Sequence, residues 1–255
     1  MAENLVGDLE KAVASGGISL HYQPKVDLFQ RRITGVEALA RWRHPLAGNI
    51  PPDIFIPLAE AGGMIVPLGA WVLREACRQT AEWRRQGHDV TVAVNVSPLQ
   101  LTKGESFDEI LADALDRSGL FPMGLELEVT ESVMMDGNAM AELIRLKGQG
   151  VSLAIDDFGA GYSSLAYMKQ FPASTLKIDK SFITPLPSSL ADCMLADSIT
   201  RLAHSFGMKV VAEGVEQQEQ IDVLDWMGCD LVQGYALGKP QPPGLIQFDM
   251  PLLWG

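Results

Sequence analysis

The stretch 151-VSLAIDDFGAGYSSL-165 sets two carboxylates side by side at the mouth of an apolar run. Val151 to Ile155 reads as a buried strand, and Asp156 and Asp157 follow it, ahead of a glycine-bearing loop. Adjacent carboxylates repel each other unless something positive sits between them. The rest of the sequence indicates what that is.

Outward from this strand, extended and helical patterns alternate almost to the end of the chain. Strands are predicted over 18–26, 33–42, 90–97, 124–130, 151–156, 175–179, 208–213 and 230–235. Helices are predicted over 67–86, 106–118, 136–148, 189–206 and 216–227. A short amphipathic helix precedes Gly16-Gly17, with Leu5, Leu9 and Val13 on one face. The first two strands flank the turn 28-LFQRR-32 and are expected to pair antiparallel. From the second strand on the order is strand, helix, strand, as in βαβ units. About eight such strands without a linker predict an α/β fold: a (β/α)8 TIM-like barrel with an antiparallel first strand, one domain over 1–255. A doubly wound open sheet fits the same pattern.

Bulk composition narrows the function. The chain has 255 residues, 47% hydrophobic and 20% charged, which is ordinary for a globular protein. Its most apolar segment, 64-MIVPLGAWVL-73, is interrupted by Pro67 and Gly69 and is too short to span a bilayer. Glu3 and Asp8 stand where a signal peptide needs a basic start, so a cytoplasmic location is expected, as a protein or as the cytoplasmic domain of a longer one. Cys77, Cys193 and Cys229 are widely spaced and read as reduced thiols. A net charge of −12 argues against a polymeric nucleic acid as partner. It leaves room for a phosphate substrate if divalent cations stand between.

The functional signal is positional. Strand after strand carries one particular polar residue toward its end: Glu37, Asn95, Glu128, Asp156 with Asp157, Lys177, Glu213 and Gln233. In a parallel barrel these ends converge on one rim. So many carboxylates on one rim need cations, and oxygen-only ligands point to Mg²⁺ or Mn²⁺ rather than zinc. A shared aspartate beside a second suits two ions roughly 3.5–4 Å apart. Singly, each residue has an ordinary reading. Asp156 or Asp157 could cap a helix, Asn95 could start a turn, Lys177 could snorkel to solvent, and Gln233 beside Gly234 could sit in a turn. Their joint occurrence on nearly every strand favours a site. Other signals fail. Gly159-Ala160-Gly161 resembles a dinucleotide loop, but Ser164 replaces the third glycine. His21, His44, His88 and His204 lack ligand spacing, and the methionines form no stripe.

At this level of detail the chain resembles the EAL domain family, the cyclic di-GMP phosphodiesterase module of bacterial signalling. The resemblance runs from about Leu9 to Pro240. It rests on 22-YQPKVDL-28, 36-VEALARWRHP-45, 55-FIPLAEAGG-63, 94-VNVSPLQL-101, 126-ELEVTES-132, 155-IDDFGAGYSSL-165, 176-LKIDKSFI-183, 211-VAEGVE-216 and 233-QGYALGKP-240. Ala160 stands where many members have threonine, and the tail 239–250 matches only loosely.

The resemblance implies hydrolysis of cyclic di-GMP to linear pGpG. It implies one metal on Glu37, Asn95, Glu128 and Asp156, and a second on Asp156, Asp157 and Glu213. Mg²⁺ or Mn²⁺ would support activity and Ca²⁺ would inhibit it. Lys177 would contact the attacking water and the phosphate, and Glu213 offers itself as base or ligand. Gln23, Arg41 and Gln233 match substrate contacts; Glu131 matches an anchor for the loop after Asp157; Asp179 is expected to orient Lys177. Family analogy also implies a homodimer through the region after Asp157, and attachment to sensor domains in a longer chain. Two other classes compete. A cyclic di-GMP receptor without catalysis usually lacks a metal ligand, and this chain keeps them all. An enolase-type barrel with Lys177 as base would not need Asn95, the paired aspartates, or the YQP and QGY segments.

Overall fold

Alternation along 125-LELEVT-130 shows how the chain divides its side chains. Leu125, Leu127 and Val129 are buried on one face of this strand. Glu126 and Glu128, on the other face, meet lysines from strands that are not its neighbours. Contacts of that kind are possible only across the inside of a closed sheet. The computed structural model describes residues 2–102, 107–159 and 168–249, with side chains from Leu5 onward. Its strands are β1 Ile18–Asp27, β2 Arg32–His44, β3 Gly48–Ile50, β4 Thr91–Asn95, β5 Leu125–Thr130, β6 Ser152–Phe158, β7 Thr175–Ile178, β8 Lys209–Ala212 and β9 Leu231–Val232.

Eight of these form the barrel, in the order β1-β2-β4-β5-β6-β7-β8-β9, with β9 returning to β1; β3 is a small flap on β2. From β2 through β4 to β9 the strands run parallel. β1 is antiparallel to both of its neighbours. The expected barrel with a reversed first strand is therefore present, and the β1–β9 pairing rules out the open sheet.

Helices lie between the strands as the apolar spacing predicts. They cover Ala2–Ser15, Ile65–Arg85, Phe107–Ser118, Gly137–Gly148, Leu190–Ser205 and Gln218–Trp226. Asp136 and Ser189 cap two of them, each accepting from backbone N–H groups of the first turn. The sequence reading stopped short at prolines. Helix Pro52–Ala61 was not anticipated, and helix Ile65–Arg85 starts two residues before Pro67. Pro52 and Pro67 sit in first turns, where the missing N–H has no intrahelical partner to lose.

The last strand is also shorter than the predicted 230–235. The chain turns back at Gln233, whose carbonyl accepts from Val215 N at 3.1 Å while Ala236 N donates to Val215 O at 3.0 Å. Gly234 permits this clamp: a Cβ there would lie 2.0 Å from the Val215 carbonyl oxygen. Gly234→Ala should lower the melting temperature by roughly 5 °C, the cost of forcing a methyl group into packed backbone. A thermal scan with no loss of stability would show that the clamp yields freely.

Candidate active site

Two neighbouring residues on a regular strand face opposite sides of the sheet. Asp156 and Asp157 escape this rule through a bulge. Ile155 pairs with Leu176 and Phe158 with Ile178, so β6 spends one residue more than β7 over the same span. Asp157 takes up the excess with φ +52°, a left-handed conformation that aspartate tolerates better than most residues. Both carboxylates then reach the same space. One oxygen each from Asp156, Asp157 and Glu213 fall within 4.8 Å of one another, a grouping able to hold a cation.

Lys177 stands at the centre. Its Nζ lies 2.9 Å from Glu128 Oε2, 2.9 Å from Asp156 Oδ1 and 2.8 Å from Glu213 Oε1, with Glu37 Oε2 at 3.8 Å. The ammonium is almost fully buried, at 1% exposure. A shell of amides holds Glu37: Asn95 Nδ2 donates to Oε1 at 2.7 Å and Gln233 Nε2 to Oε2 at 2.6 Å. The Gln233 amide also donates to Gln23 Oε1 at 3.2 Å, and Gln23 Nε2 donates to the Gly238 carbonyl. The side-chain oxygen of Gln233 is buried without a hydrogen-bond partner among the described residues. Beneath the site, Lys25 Nζ donates to Glu128 Oε1 at 2.6 Å and Glu126 Oε1 at 3.1 Å.

The electrostatics are out of balance. Among the described residues, Glu37, Glu126, Glu128, Asp156, Asp157 and Glu213 gather around two buried lysines, Lys25 and Lys177, with Lys180 and Asp179 near Asp157 at the rim. The carboxyl groups outnumber the lysines, an imbalance that divalent cations would offset. The carboxyl groups register the deficit. Burial, opposed by Lys177, pushes the Glu213 carboxyl up to about 8. Glu37 and Asp156 shift upward for the same reason, and Asp157 through burial and the nearby Asp179. Burial would raise Glu128 too, but Lys177 and Lys25 together override it and hold that carboxyl at about 2. Lys177 keeps its proton firmly: burial opposes the charge, and the surrounding carboxylates, Glu128 foremost, outweigh it.

A cavity of about 650 Å³ opens above, lined by Gln23, Glu37, Asp156, Asp157, Lys177, Glu213 and Gln233 among others. A second, more apolar lobe of about 550 Å³ runs beside helix Pro52–Ala61 and includes Asn95. The two share Leu39, Asp53 and Asp157.

The EAL domain model matches residues 6–240. The chain belongs to the EAL domain family. It is 46% identical over 241 residues to the bifunctional diguanylate cyclase/cyclic di-GMP phosphodiesterase MucR of Pseudomonas aeruginosa, covering 93% of this chain and 35% of MucR. It is 45% identical to the cyclic di-GMP phosphodiesterase NbdA of the same organism, covering 94% of this chain and 31% of NbdA. The chain thus spans about a third of these relatives. Among solved structures, the PaMucR phosphodiesterase in complex with c-di-GMP superposes with a TM-score of 0.88 at 45% identity, covering 94% of this chain and 98% of that one.

Most of the residues singled out in the sequence meet in this EAL site. Arg41 lies on the inward face of β2, two and four residues beyond Leu39 and Glu37. It is half-buried near the rim, its Nη1 donating to the Ala40 carbonyl. Asp179 lines the cavity, but its described hydrogen bonds go to Ser181 N and Oγ, where it caps helix Lys180–Ile183. Lys177 takes its described contacts from other carboxylates, so no bond from Asp179 orients it. Glu131 opens a short 3-10 turn after β5. The loop it was expected to anchor includes residues 160–167, which lie outside the described residues, as do Ala160 and Ser164. Sequence reasoning passed over Lys25, Glu126 and Thr175 below the site, and Asp53, Lys180, Glu216 and Tyr235 in the cavity wall. Period-two spacing could have found the first two, since Lys25 follows Gln23 by two and Glu126 precedes Glu128 by two.

If this cluster takes divalent cations, Mg²⁺ or Mn²⁺ should raise the melting temperature. A ligand at a hundred times its Kd adds about 2.7 kcal/mol, or roughly 5–10 °C here. Asp156→Asn should erase most of that rise. Identical melting curves with metal and with chelator would contradict the assignment.

Proposed function

We propose that the chain hydrolyses cyclic di-GMP to linear pGpG in a reaction dependent on two divalent cations. The observation that carries this reading is the bulge-aligned Asp156–Asp157 pair facing Glu213 and Lys177 with too little positive charge. The names of the relatives MucR and NbdA, and the c-di-GMP complex of PaMucR, support the same substrate. The two lobes that meet at Leu39, Asp53 and Asp157 suit a ligand with two bases joined by a phosphate ring.

An oxygen-only donor set fits Mg²⁺ or Mn²⁺. Glu37, Asn95, Glu128 and Asp156 would hold one ion, and Asp156, Asp157 and Glu213 the other. For this the Asn95 and Gln233 amides must release or turn from Glu37. When bound, the cations supply the Lewis acidity that yields hydroxide near neutral pH.

The chain's own groups do the rest. Water oxygen adds to phosphorus as the bond to the 3′ oxygen breaks, and that oxygen leaves with a proton. Lys177, held protonated, would turn N–H groups now shared with Glu128, Asp156 and Glu213 toward the water and a phosphoryl oxygen, where charge grows in the transition state. Glu213, 2.8 Å from Lys177, is placed to accept a proton or to bind metal. Arg41 offers the fork geometry that keeps a phosphate in register. Gln23 and Gln233 present amides to the ligand, the orphaned Gln233 oxygen among them. A cytoplasmic setting, a homodimer and an attached sensor domain belong to the same proposal.

Incubation with cyclic di-GMP and Mg²⁺ or Mn²⁺ should release pGpG, while Ca²⁺ as sole cation should bind and block turnover. Tight binding with no cleavage in any metal would instead make the chain a receptor.

Lys177→Ala should lower kcat by roughly a hundredfold with little change in affinity, because its interaction matters most in the transition state. Arg41→Ala should lose affinity along with rate. Binding isotherms in Ca²⁺ beside kinetics in Mg²⁺ separate the two; the opposite pattern would reverse the assigned roles.

A further inference from the structure

A second buried lysine takes no part in the chemistry above. Lys25 is 3% exposed and lies on β1, two residues from Gln23 and on the same inward face. Because β1 runs against the other strands, moving from Gln23 to Lys25 moves away from the rim and deeper into the barrel. There its Nζ meets Glu128 Oε1 at 2.6 Å and Glu126 Oε1 at 3.1 Å. The second Glu126 oxygen accepts from Thr175 Oγ1 at 2.6 Å. Glu128 therefore has its two oxygens divided between two lysines, Oε1 with Lys25 below and Oε2 with Lys177 above at 2.9 Å.

We propose that Lys25, braced by Glu126 and Thr175, is a positioning residue that pins Glu128 so that only Oε2 faces a divalent cation. This rests on the reading of Glu128 as a metal ligand. The bland alternative makes Lys25 a counter-ion for Glu126. The distances favour the first: the shorter bond goes to Glu128, and Glu126 already has a donor in Thr175.

Pinning has a chemical consequence. Mg²⁺ and Mn²⁺ favour compact octahedral shells of single oxygens, whereas Ca²⁺ accepts more oxygens at longer range, including both from one carboxylate. A Glu128 with one oxygen withheld thus favours the smaller ions. Freed from Lys25, it could turn and offer both, which helps Ca²⁺ more than Mn²⁺.

The test is calorimetric titration of Mn²⁺ and of Ca²⁺ into the parent chain and into Lys25→Met/Glu126→Gln. That double variant removes one charge of each sign, so the net charge of the site is unchanged. Partners of metal ligands typically contribute 10–100-fold in metal affinity. The ratio of Mn²⁺ to Ca²⁺ affinity is expected to fall by about tenfold. An unchanged ratio, whether both affinities fall together or neither moves, overturns the proposal. Thr175→Val is the gentler variant should the double one not fold. It frees Glu126 to draw Lys25 from Glu128, and the same ratio should fall by about threefold, less than for full loss of the partner. A parent chain that binds neither ion removes the metal reading itself, a result distinct from an unchanged ratio.

Discussion

One ammonium group holds the centre of this barrel together. Lys177 reaches carboxylates carried by β5, by β6 and by the segment after β8, within 2.9 Å of each. The barrel interior here is a polar lattice that binds strands distant in sequence. Removing one partner of a buried ion pair typically costs about 3–5 kcal/mol, because the other charge is left stranded. Fold and site therefore share one set of contacts.

Under the proposed function, the same lattice accounts for how an acidic protein would offer a cavity to a phosphate ester. A chain of net charge −12 repels anions at long range. The local field depends on what fills the carboxylate cluster, and bound cations invert it. On that reading, selectivity for an anionic ligand would be conditional on metal.

Much of this was legible in the sequence because strand ends in a parallel barrel converge. Glu37, Asn95, Glu128, Asp156, Lys177, Glu213 and Gln233 could be collected on one rim from topology alone. What stayed hidden was set by local backbone. The bulge that turns Asp157 beside Asp156 leaves no mark on residue type, since aspartate is also at home in caps and turns. Helix Pro52–Ala61 was masked by its own prolines, though Pro52 occupies a position where proline is well tolerated. The resemblance implies that Asp179 orients Lys177, but the described bonds of its carboxylate cap a helix instead. Period-two spacing places Lys25 on the face of Gln23, but its own strand does not say that Glu126 and Glu128 lie opposite, which follows only from closure of the barrel.

The reversed first strand leaves the barrel with a lopsided closure. Along one side, β1 is zipped to β2 through ten residue pairs. Along the other it meets β9 through only two, Val26 with Val232 and Asp27 with Leu231, helped by a bridge from Tyr22 to Gln241. Above this narrow seam the Gln23 and Gln233 side chains join hands across the gap. A ligand gripping both amides would act as a rivet across this joint, stiffening the wall where the backbone is sparsely laced.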